Sequence, residues 1–75
     1  MLIYQKHEQK ILKNLGATLI DHEFYQISRD TAMELCAGSL PLYGYERRVE
    51  IESIYWWVAR TTVEGKEVWS IRVAR

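Results

Sequence analysis

The sequence is short of the residues that most readily declare a class. Among its 75 residues are one cysteine, one proline, four glycines and one phenylalanine, and ten Lys plus Arg balance ten Asp plus Glu. A lone cysteine excludes an intrachain disulfide and any four-cysteine zinc site. The longest unbroken apolar run, Ile54 to Ala59, is far too short for a transmembrane helix or a signal-peptide core. No Asn-x-Ser/Thr sequon occurs, and the expected compartment is a reducing cytoplasm. Zero net charge removes the basic footprint usual in nucleic-acid binders. No glycine-rich phosphate loop occurs, because Gly38 and Gly44 lack a strand-loop-helix context.

What is present is ordinary globular composition, 48% apolar and 27% charged, in a chain long enough for one domain spanning residues 1–75. Such a chain buries only about 60% of its unfolded surface, so its core is thin. Residues 3–15 carry Tyr4, Ile11, Leu12 and Leu15 on one side and Lys6, Lys10 and Lys13 on another, which predicts a helix. Gly16 follows as a left-handed cap, and Met1 to Tyr4 offer a short strand instead. Residues 17–27 favour extended chain interrupted at Asp21-His22-Glu23, which predicts one strand with a bulge, or one strand exposed on one face. Ser28 is an N-cap and Asp30 suits the first turn of a second helix running to Ala37, which buries Ala32, Met33, Leu35 and Cys36 and ends at Gly38.

The C-terminal third predicts a β-hairpin, Val49–Val63 and Val68–Ala74 about Glu64-Gly65-Lys66. Fifteen residues in the first strand would span about 50 Å, too long for a domain of roughly 30 Å, so that strand must bend, bulge or project. The expected architecture is α+β, order α-β-α-β-β. It has a three-stranded antiparallel sheet, two helices on one face and a long C-terminal hairpin. In the last strand Trp69, Ile71 and Val73 form the better core face. A two-residue turn would set Ile54, Trp56, Val58 and Arg60 beside them, and a three-residue turn would set Tyr55, Trp57 and Ala59 there. The three-residue turn is the expected one, since Glu64 suits a positive φ poorly. In either register, one of Trp56 and Trp57 must face away from the main core, because adjacent strand residues point to opposite faces.

That spare tryptophan is either covered by the Leu40–Tyr45 loop or stacked on Arg72, or it anchors a binding surface. Tryptophan, tyrosine and arginine dominate interface energetics. The candidate partner-binding residues are therefore Trp56, Trp57, Arg60, Arg72, Tyr43, Tyr45 and Arg47. The partner expected is a protein or a second copy of the chain, as suits an accessory or inhibitory subunit, with a homodimer as resting state and no membrane. Nucleic acid is the alternative, through aromatic stacking and arginine–phosphate contact. It is disfavoured by charge: residues 41–75 carry six Lys or Arg against five Asp or Glu. Catalysis, cofactor and metal are not expected. Alternation separates His22 from Asp21 and Glu23, Cys36 lies in an apolar helix stripe, and Glu50 and Glu52 are an ordinary solvated pair.

Overall fold

The computed structural model describes residues 3–75, with side chains from residue 5 onward. Helix α1 spans Ile3–Leu15 and helix α2 spans Arg29–Leu35. The strands are β1 (Thr18–Asp21), β2 (Phe24–Ile27), β3 (Glu46–Ile51), β4 (Ile54–Val63) and β5 (Lys66–Val73). The strand alternative at the N-terminus gives way to helix from Ile3, while Met1 and Leu2 lie outside the described residues.

Both helices end as their sequences dictate. In α1 the N–H groups of Gly16 and Ala17 return to the carbonyls of Lys13 and Leu12 at 3.1 and 3.0 Å, with Gly16 at φ 71. That is a Schellman cap built on glycine. In α2 the Ser28 hydroxyl oxygen accepts from the Thr31 N–H at 3.1 Å, satisfying one of the helix's orphan donors. Its C-terminus repeats the Schellman geometry, Ala37 N–H to Glu34 and Gly38 N–H to Met33, but here Ala37 holds the left-handed position at φ 52.

The sheet departs from the sequence reading. It has five antiparallel strands, not three, in the order β1-β2-β5-β4-β3. Each of the two stretches read as a single strand folds back on itself. Residues 17–27 become a hairpin closed at His22-Glu23, with a bulge between Leu19 and Asp21. The overlong Val49–Val63 segment splits at Glu52-Ser53, where both residues take positive φ (51 and 69). The strand length problem disappears, and the molecule measures 34 × 26 × 20 Å.

The last hairpin closes on two residues rather than three. Val63 pairs with Lys66, and Glu64 and Gly65 take φ 51 and 79, the signature of a type I′ turn. This register sets Trp56 beside Val73 and Val58 beside Ile71, and both Trp56 and Val58 are fully buried. Burying such side chains stabilises by about 1.5–3 kcal/mol each. A left-handed Glu64 costs only about 1–2 kcal/mol. Packing therefore selects the turn, and Trp56 is the core tryptophan.

Ile11, Leu12, Ala32 and Cys36 from the helices meet Ile27, Val49, Trp56, Val58, Trp69 and Ile71 from the sheet. Both helices thus cover one face of the sheet. Lys6, Lys10 and Lys13 of α1 are all exposed.

Candidate binding face

Strand registers set a row of side chains across the opposite, outer face. Arg48 pairs with Trp57, Trp57 with Arg72, and Arg72 stacks over Phe24, its guanidinium 5.6 Å from the ring centroid. The row alternates cation and aromatic across four adjacent strands. Both cations are held in place. Arg72 donates through Nε and Nη2 to the two oxygens of Glu46, each at 3.2 Å. Arg48 lies 4.6 Å over the ring of Tyr55. A forked arginine–carboxylate pair fixes orientation as well as charge, and the half-buried Trp57 stands between Arg48 and Arg72 in the strand register.

Two shallow cavities flank this row. One of about 290 Å³ is rimmed by Phe24, Tyr45, Glu46 and Arg72, and one of about 370 Å³ by Ile20, Phe24, Thr61 and Val63. They share Phe24 and Thr61 and together form a groove. Beside its wall, Ser70 is buried to 1% although it lies on the outer face, and its hydroxyl bonds to Thr61 at 2.9 Å.

Of the sequence-expected residues, Trp57, Arg72 and Tyr45 come together here. Trp56 does not, because the two-residue turn buries it. Arg60 lies on the helix side, opposite Trp69, with its guanidinium 4.8 Å over that ring and 3.8 Å from Glu67. The Arg60 and Arg72 guanidinium groups therefore lie on opposite faces, although both residues line the cavity of about 290 Å³. Arg47 is exposed on the helix side, where its charge acts on the Cys36 thiol. Tyr43 shares a hydrogen bond with Thr62 at 3.0 Å. Phe24, Arg48, Glu46 and Tyr55 belong to the face, and sequence reasoning missed them. Cross-strand rows follow from the registers of β2 and β3, which that reasoning had merged into longer strands.

A second polar cluster sits between α1 and the end of the chain. Glu8, buried to 6%, receives a forked pair from Arg75 at 2.9 and 3.4 Å. His22, Tyr25 and Gln9 line the adjoining cavity of about 230 Å³. Glu8 satisfies its buried charge internally, as a structural ion pair must. Among the described residues no three His, Cys, Asp or Glu side chains converge as metal ligands. Burial pushes the Cys36 thiol up from its ordinary value of 9.0, with Arg47 pulling weakly the other way. Cys36 is thus a neutral core group, not an activated thiolate. Among the described residues, no helix is long and apolar enough to cross a membrane.

Fold and face together define a small two-layer α+β protein with one sheet face under helices and the other open and aromatic. No protein-family model, curated protein or solved structure matches the chain.

Proposed function

We propose that the chain is a small non-catalytic binding module that takes a protein partner on the outer face of its sheet, as an accessory or inhibitory subunit would. Trp57 is the anchor, Arg72 and Arg48 flank it, and the groove past Phe24 and Tyr45 receives the partner's side chains. The observation that carries this reading is the contrast between the two sheet faces. Trp56, Val58 and Ile71 on one are fully buried under helices, while Phe24 (38% exposed), Tyr55 (47%) and Tyr45 (68%) on the other have no helix over them. Aromatics ringed by positioned polar groups are the composition of binding hot spots. Glu46 and Glu50 interleave with Arg48 and Arg72, so the face is mixed in charge and better suited to a protein than to a phosphate backbone.

The test compares tagged wild-type protein with Trp57→Ala after cross-linking in cells of the source organism, together with titration of tryptophan emission by single- and double-stranded oligonucleotides. A protein partner held by wild type and lost by a folded Trp57→Ala supports the proposal. A partner retained equally by both sinks it. Oligonucleotide quenching at low salt that disappears near ~200 mM salt replaces it with nucleic-acid binding.

A further inference from the structure

The two edges of the sheet are built differently. Strand β1 has four residues and a bulge, both devices that blunt an edge. Strand β3 has six residues in unbroken register with β4, contains no proline, and among the described residues has no strand beyond it. We infer that β3 is a self-pairing edge: two copies of the chain join antiparallel through β3, about a two-fold axis passing beside Val49, into one continuous sheet.

Backbone phase comes first. The Ala74 N–H donates to the Tyr55 carbonyl at 2.8 Å, so Tyr55 turns its backbone groups toward β5. By alternation Ile54, Trp56 and Val58 turn theirs toward β3, where they meet Ile51, Val49 and Arg47. The N–H and C=O groups of Glu46, Arg48 and Glu50 therefore point out of the sheet edge. An antiparallel partner must match those residues with one another.

Charge then selects among the allowed registers. With the axis at Val49, Arg48 lies opposite Glu50 of the second copy and Glu50 opposite its Arg48. Each of these pairs exchanges both backbone hydrogen bonds, and each brings opposite charges together on the outer face. On the helix side Val49 meets Val49, and Ile51 meets the stem of Arg47. The neighbouring registers fail on the same criterion. An axis at Arg48 opposes two guanidinium groups and sets Glu46 against Glu50. An axis at Glu50 opposes two carboxylates. An axis at Arg47 also sets Arg48 against Glu46, but it opposes the two Arg47 guanidinium groups on the helix side, where the Val49 axis opposes two valines. The acid-base-acid alternation of Glu46, Arg48 and Glu50 complements its own reverse at two settings, and of these only the Val49 axis is free of a like-charge pair within β3. This contact uses the sheet edge and leaves Trp57 and Arg72 open, and Arg48 is the one residue it shares with the partner reading above.

The experiment is sedimentation equilibrium of wild type, Arg48→Glu, Glu50→Arg and the double reversal, up to about 1 mM, with circular dichroism to check folding. Wild type is expected at twice its 8.9 kDa mass. Either single reversal turns two attractive pairs into two repulsive ones and should weaken the dimer about tenfold or more. The double reversal restores opposite charges at both pairs and should recover the wild-type constant to within about threefold. A monomeric wild type overturns the inference. So does a dimer that ignores the single reversals, or one that the double variant fails to rescue. A dimer lost in Trp57→Ala but kept in Arg48→Glu would place self-contact on the outer face and overturn the edge pairing, whereas loss of a foreign partner in Trp57→Ala would leave it standing.

Discussion

Trp56 and Trp57 are chain neighbours on opposite faces, so truncating each in turn tests the registers on which the rest depends. Trp56 is wholly buried, and removing such a side chain costs about 3–5 kcal/mol. Part is returned, because its indole Nε1 is buried without a hydrogen-bond partner among the described residues, and an orphan donor costs about 1–3 kcal/mol. The net loss for Trp56→Ala is then about 2 kcal/mol, within a range of about 0–4, a sizeable share of the roughly 4–11 kcal/mol expected for a domain this size. Trp57→Ala removes two cross-strand contacts, to Arg48 and Arg72, of about 0.2–1 kcal/mol each. The gap of about 1 kcal/mol should appear as a melting temperature ~4–8 °C lower for Trp56→Ala by circular dichroism. Acrylamide quenching gives the complementary reading. Trp56 and Trp69 are buried, so Trp57→Ala should remove most of the quenchable emission and shift the remainder to the blue. If Trp57→Ala melts at or below Trp56→Ala, the two-residue turn and the face assignment are both wrong.

Two further outcomes follow from local geometry. Ala37→Gly relieves a left-handed alanine at the end of α2, and chemical denaturation should show a gain of about 0.5–1 kcal/mol. Cys36 should resist thiol reagents in the folded protein. Because burial raises its folded pKa above 9.0, its contribution to stability is complete below that pH and is lost as pH climbs through the raised value, so wild type should weaken relative to Cys36→Ala only on the alkaline side. Equal alkaline sensitivity of the two proteins would show the thiol to be solvated.

The helices were legible because their signals are local. Ser28 caps, Gly16 terminates, and Ile11 and Leu12 mark the buried side within a single turn. The face of β5 was legible too, since Trp69, Ile71 and Val73 alternate with polar residues. The extra strands were not, and the reason is physical. Glycine and proline are the residues by which a sequence announces its turns, whereas His22, Glu52, Ser53 and Glu64 enter the left-handed region without glycine's freedom. Burial on the neighbouring strands outweighs that strain, and burial is a property of the assembled sheet. The binding face shared this fate: Phe24 and Arg48 meet the Arg72–Trp57 pair only once β2 and β3 exist as separate strands.

The strand that comes last in sequence lies at the centre of the sheet. Among the described residues β5 is the only element hydrogen-bonded to both halves, holding β2 through Tyr25, Gln26 and Ile27 and β4 through Trp56 to Val63. Losing it would not trim the sheet but divide it, leaving two separate hairpins, each marginal in water. The first hairpin pairs with residues more than forty positions downstream, so the sheet is closed by non-local contacts of the kind that form slowly. Both halves become one sheet only where β5 docks, so damage to β5 would divide the sheet rather than shorten it.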